Sequence, residues 1–218
     1  GRPCRTGLIA KGKQEIMDQR WKELARILVN YSVKVQPGER VMLAMGEVET
    51  LPLAAALHEE CIKLGALPQV QFLSETLRHS MLKYGNEAQL AWVPEIEAYS
   101  MEWADVYFGL RGAYNLHIHD DISVQRLARN QAAMGEVSTL RWQKTRWCVV
   151  RVPNQALAFQ AGCDYESIEE MFFNACLLDW EKETRIWTRW AAVLDRGKRV
   201  RLLGNETEAI TEVPAFSF

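Results

Sequence analysis

The chain has 218 residues, with 26 Lys and Arg against 28 Asp and Glu, a formal net charge of −2. Apolar residues make up 48% and charged residues 25%, the balance of a globular protein, which excludes disorder over most of the length. The near-neutral charge leaves no basic footprint for a phosphate backbone, and no apolar run approaches the roughly 20 residues of a membrane-spanning helix, so neither nucleic acid nor membrane is an expected partner.

Residues 1–16 are basic, with only Gly7-Leu8-Ile9-Ala10 apolar. That is shorter than the roughly 7–15-residue core of a signal peptide, so the segment reads as an extension outside the fold and the expected location is the cytoplasm. Trp21, Leu24, Ala25, Leu28 and Tyr31 recur at helical spacing, which predicts an amphipathic helix over 18–32 with Asp18 as its cap. A turn at Pro37-Gly38 precedes the apolar run 40–45, a strand buried on both faces. Residues 51–64 read as a helix stopped by Gly65, and 68–73 as a second strand. Helices over 75–84 and 87–103 (interrupted at Pro94) lead to a third strand at 105–110. Helical stretches at 121–134 and 136–145 lead to a fourth at 147–152. Residues 155–196 read as nearly continuous helix, and 199–203 as one more strand. No period is visible from Asn205 to Phe218. Strands joined by helices predict an α/β fold: a three-layer, mostly parallel sheet with helical crossovers, followed by a helical segment.

The turn after the first strand is where a dinucleotide fold would cradle a pyrophosphate. Here it has one glycine, Gly46, with Glu47 and Glu49 where phosphate would sit, so like-charge repulsion argues against a nucleotide. Gly109-Leu110-Arg111-Gly112 lacks the fingerprint spacing and reads as a tight strand exit. The five cysteines (Cys4, Cys61, Cys148, Cys163 and Cys176) form no CxxC pair, which fits thiols in a reducing compartment. His117-Ile118-His119-Asp120-Asp121 is the sharpest local cluster. In an extended segment His117, His119 and Asp121 would present two imidazoles and a carboxylate together, the candidate metal ligands of this sequence. A catalytic zinc needs about three protein ligands, and His58 and His79 lie far off in sequence, so the preferred reading is a polar loop that caps the next helix. Of the eight tryptophans, Trp21, Trp92, Trp103, Trp187 and Trp190 fit helix faces, which favours core packing, with an interface as the alternative. Trp142 and Trp147, flanked by Arg141, Lys144 and Arg146, have the composition of a nucleic-acid platform, which the overall charge opposes.

Several stretches together resemble a known family. They are Arg20 to Val41 (RWKELARILVNYSVKVQPGERV), Ala104 to Gly112 (ADVYFGLRG), Gln131 to Met134 (QAAM), Arg146 to Pro153 (RWCVVRVP) and Met171 to Cys176 (MFFNAC). They are similar to the N-terminal half of the thermophilic metalloaminopeptidases of the aminopeptidase T and S type, over about 17–203. The resemblance implies an α/β N-terminal domain followed by a C-terminal domain, and two divalent metals, zinc or cobalt. It further implies removal of N-terminal amino acids from peptide substrates in the cytoplasm by a homodimer with an enclosed cavity. The family's ligands (two glutamates, histidines and an aspartate) and its catalytic tyrosine lie in the C-terminal domain and have no counterpart here. The family continues after the last strand with Gly and then Thr-Asp-Leu, whereas Gly204 is followed by Asn205-Glu206-Thr207. No catalytic or cofactor-binding residue is carried over. The expected organisation is an extension at 1–16, the α/β N-terminal domain of an aminopeptidase at 17–204 and an atypical tail at 205–218. Such a chain would be truncated and inactive alone. The alternatives are a non-catalytic binding or assembly module, and a relative of the iron dioxygenases that cleave pyridine diols on the same fold.

Overall fold

The structure, a computed structural model, describes residues 18–212; the expected extension at 1–16 and the end of the tail, 213–218, lie outside the described residues. The described residues divide into two compact units, one ending at Phe173 and one starting at Asn174.

In the first unit, β1 (Arg40–Gly46), β2 (Leu67–Leu73), β3 (Val106–Arg111) and β4 (Arg146–Arg151) form one sheet in the order β2-β1-β3-β4. Every pairing is parallel, and the register sets Leu43 beside Val70 and Phe108, and Phe108 beside Cys148. Parallel strands need crossovers, and helices supply them. α2 (Leu51–Leu64) joins β1 to β2 and ends at Gly65, whose φ of 83° is the left-handed conformation that a glycine cap accepts without strain. α3 (Glu75–Tyr84), the short α4 (Glu87–Leu90) and α5 (Glu95–Trp103) join β2 to β3; α6 (Val124–Lys144) joins β3 to β4.

Side chains alternate across the sheet, so the central strands bury both faces. Met42, Ala44 and Tyr107 form one core with Met101 and Ala104 of the α5 segment and Val137 of α6. Val41, Leu43, Val106 and Phe108 point the other way, fully buried, toward the side of α2 and its buried Leu53 and Leu57. α1 (Gln19–Arg26), capped by the Asp18 carboxylate and continued by a wider π-helical turn over Ile27–Ser32, packs on α2. Its Trp21 meets Phe173 of α8 (Tyr165–Cys176) edge-on at 4.6 Å, and its Arg20 joins Glu169 of the same helix at 2.9 Å. Helices thus cover both faces of a parallel sheet, in agreement with the expected three layers.

A charged clip ties β1 to the start of β3. The Asp105 carboxylate accepts the Arg40 backbone N–H at 2.9 Å and its guanidinium at 3.1 and 2.9 Å. The Arg40 guanidinium holds Asp105 down to about 2. A depressed carboxyl stabilises the fold above the unfolded value near 4, and that contribution disappears as pH falls through about 4 toward about 2. With a third of the side chain exposed, screening limits the effect. Asp105→Asn is expected to cost ~1 kcal/mol at neutral pH, and the gap in urea midpoint between variant and parent should close between about pH 4 and 2. A gap that persists at pH 2 would contradict this assignment.

Two helical details and one strand differ from the sequence expectation. α6 runs unbroken through Gly135, where a Cβ would meet nothing within 4 Å, so no packing forces a break. The stretch 155–196 is three helices: α7 (Gln155–Ala161), α8, and α9 (Trp180–Arg196). The first break is Gly162 at φ 68°, and the second is set by Asp179, whose carboxylate caps α9 through the Lys182 N–H. In the second unit β5 (Arg199–Gly204) pairs antiparallel with β6 (Thr207–Glu212) around the two-residue turn Asn205-Glu206, with Glu206 at φ 58°. The six residues of β6 are all exposed, so no buried face left a period to read.

Candidate site at the carboxyl ends of the strands

β1 and β3 are neighbours, while the connections from β1 to β2 and from β3 to β4 run outward in opposite directions. In open α/β sheets ligands bind at such a point of reversal, beyond the carboxyl ends of the strands. Here the seam is sewn shut by backbone. The Gly112 N–H donates to the Gly46 carbonyl at 2.8 Å across the seam, and on the other side of β1 the Glu47 N–H donates to the Leu73 carbonyl of β2 at 2.9 Å. A Cβ on Gly112 would stand 2.5 Å from the Gly46 oxygen, and one on Gly46 2.7 Å from the Leu110 oxygen. The tight strand exit expected at Gly109 to Gly112 is therefore what forms.

Glu47 carries the chemistry of this seam. It is buried and adopts φ 67°, ψ 159°, a conformation that costs a residue with a Cβ about 1–3 kcal/mol. Its carboxylate accepts the Glu75 N–H at 2.6 Å and the Ser74 hydroxyl at 3.2 Å. Those donors are the amino end of α3, where a helix offers N–H groups to an anion. The protein's own carboxylate fills it.

Beside this lies the histidine cluster. Residues 115–122 are not extended. The bonds Ile118 N–H to Asn115 O, Asp120 N–H to His117 O and Ile122 N–H to His119 O make a run of turns. The three candidate ligands consequently face different partners. The exposed His117 ring bonds Asp120 at 3.0 Å, His119 reaches Glu75 of α3 at 2.8 Å, and Asp121 meets His79 at 2.7 Å and Lys83 at 2.8 Å, both on α3. The rings of His79 and His119 stack at 5.9 Å. Lys83, and secondarily His79, hold Asp121 down to about 2. Arg78 of α3 reaches Glu75 at 3.5 Å, the buried Asn130 at 3.0 Å and Gln131 at 3.2 Å. Two cations therefore already compensate the two carboxylates, and the cluster clasps the 113–123 loop to α3 and α6. His79 is the member that sequence spacing missed: it lies 40 positions before its stacking partner, and only the fold brings the two together. His58 stays exposed on α2.

Among the described residues no cysteine is placed as an activated nucleophile. Cys61 is fully buried, and burial pushes its thiol up to about 12; burial also raises Cys176. Cys148 lies half-buried inside β4, and Cys163 is exposed after Gly162. Cys4 lies outside the described residues.

Against this geometry the comparisons with known proteins are decisive for ancestry. The thermophilic metalloprotease (M29) family matches residues 17–209. The chain belongs to that family. Among solved structures, wild-type AmpT from Thermus thermophilus shares the fold at a TM-score of 0.74 with 17% identity, over 89% of this chain and 53% of that one. This chain thus spans about half the length of that relative. A putative transcription regulation repressor (LacI family) from Corynebacterium glutamicum aligns at a TM-score of only 0.35 with 12% identity, over 72% of this chain and 55% of that one, and carries no argument. No curated protein matches.

The family's description implies a metal. The residues here do not fit one: among the described residues no group of three or more His, Cys, Asp or Glu is placed to hold a metal ion. The stacked imidazoles are engaged by separate carboxylates that Lys83 and Arg78 already neutralise. Among the described residues no helix is long and apolar enough to cross a membrane.

Proposed function

We propose that this chain is the N-terminal α/β half of a metal-dependent aminopeptidase that removes N-terminal amino acids from peptides. In this reading the chain supplies scaffold, and the divalent metals, zinc or cobalt, are held by residues of the family's second half. The observation that carries it is the family match over residues 17–209, supported by the AmpT likeness in fold over 89% of the chain. The closed seam agrees: the bond from Gly112 to Gly46 crosses the point of reversal that the fold most often offers to a ligand. Peptide substrates, a homodimeric assembly and a cytoplasmic location belong to the same proposal.

Metal-assisted hydrolysis requires a site that polarises the carbonyl and activates water. The purified 218-residue chain is therefore expected to leave a leucyl-anilide substrate unhydrolysed with cobalt or zinc added. A longer form that bears the family's glutamate and histidine ligands is expected to turn it over. Metal-dependent turnover by the isolated chain, or an inert longer form that is folded and metal-loaded, would refute the proposal.

A further inference from the structure

β4 forms one edge of the sheet. Its ladder to β3 begins with the Arg146 N–H on the Asp105 carbonyl at 3.1 Å and ends with the Val152 N–H on the Arg111 carbonyl at 2.9 Å. A parallel strand alternates its bonding side, so the backbone groups of Trp147, Val149 and Arg151 point out of the sheet. Among the described residues no strand meets them. An open edge of this kind is a template for one more strand.

The charged side chains of β4 and of the α6 end beside it are basic. Lys144 ends α6, and Arg146 and Arg151 bound β4; all three are exposed. The nearby carboxylates are already matched, Glu39 by Arg146 and Asp105 by Arg40, which leaves Lys144 and Arg151 in excess. Two indoles stand beside the free backbone. Trp142, 67% exposed, stacks nearly flat on Trp147, 45% exposed, at 6.4 Å and 14°. The Arg141 guanidinium lies 5.2 Å over Trp147 and 5.7 Å over Tyr107, and its buried Nε has no hydrogen-bond partner. Arginines on an edge strand also guard it against aggregation. A guard has no use for a stacked aromatic wall, which instead gives an incoming chain an apolar surface beside a row of donors and acceptors.

We propose that the outer edge of β4 docks an extended, acidic polypeptide segment of a partner protein. The segment adds as a fifth strand, its aliphatic stems on Trp142 and Trp147 and its carboxylates toward Lys144 and Arg151. A second copy of the same basic edge would be repelled, so the complementary occupant is acidic.

Amide NMR of the full 218-residue chain tests this with an acetylated, amidated peptide alternating glutamate and threonine, its lysine–threonine counterpart, and oligothymidylate. The acidic peptide is expected to shift the amides of Trp147, Val149 and Arg151 and the indole N–H signals of Trp142 and Trp147 saturably, and the lysine peptide is not. The double variant Lys144→Glu, Arg151→Glu changes exposed side chains only and is expected to weaken binding roughly tenfold or more. Val149→Pro deletes one outward N–H and spares the ladder to β3, so it is expected to weaken binding without a change in charge. Should that variant fail to fold, the charge reversal decides. Any of four results overturns the proposal: no saturable shift, equal shifts from the lysine peptide, stronger binding of oligothymidylate at the same indoles, or concentration-dependent broadening of these signals without peptide.

Discussion

Phe108→Ala is expected to lower the unfolding free energy by ~3–5 kcal/mol, with the urea midpoint falling and the slope unchanged. Phe108 is fully buried in β3, a central strand, with Leu43 on one side in register and Cys148 on the other. Truncation removes the transfer free energy of a phenyl ring and also leaves a hole. The hole closes poorly, because β1, β3 and β4 are fixed to one another by their ladders and cannot slide inward. Phe159, 86% exposed on α7, supplies the contrast within the same residue type: Phe159→Ala is expected to stay within about 0.5 kcal/mol of the parent. Equal effects at the two positions would refute the assignment of the core.

Gly112→Ala is expected to destabilise by ~2–4 kcal/mol although it adds a single methyl group. The new Cβ would stand 2.5 Å from the Gly46 carbonyl oxygen, 3.1 Å from Glu47 Cβ and 3.2 Å from Thr50 Cγ2. The closest atom belongs to backbone, so no side chain can rotate away. Relief requires β1 and β3 to part at their carboxyl ends, which breaks the 2.8 Å bond from Gly112 to Gly46 and disturbs the strained Glu47 beside it. The same substitution at Gly135, in open space on α6, should stabilise by ~0.5–1 kcal/mol through helix propensity. Thermal denaturation of the two variants reads the opposite signs directly. A Gly112→Ala protein as stable as the parent would mean that the seam is not closed as described.

The sheet and its crossovers were legible because burial writes them into the chain. β1 and β3 lie inside, so their runs are continuously apolar, and Gly65 marks the end of α2 because only that backbone conformation turns the chain there. What was not legible is what tertiary partners decide. Gly162 and Asp179 divide a stretch of helical composition into three helices, while Gly135, with nothing near it, divides nothing. β6 is exposed on every residue and carries no alternation. At the site, the spacing of His117, His119 and Asp121 suggested convergence only if the segment were extended. The turns at 115–122 send each side chain to a different partner, and His79, which stacks on His119, comes from a helix that spacing cannot connect to it. Glu47 was legible as a charge hostile to phosphate; that its carboxylate occupies the amino end of α3 followed only from the fold.

Calorimetric titration of zinc and of cobalt into the 218-residue chain tests most directly whether the metal centre lies outside it. No stoichiometric uptake is expected, because the imidazoles and carboxylates of the 113–123 loop and α3 are already engaged with one another and with Lys83 and Arg78. Stoichiometric binding that is lost in His119→Ala and accompanied by hydrolysis of a leucyl-anilide would place a working metal site in this half of the fold and contradict the proposed division of labour.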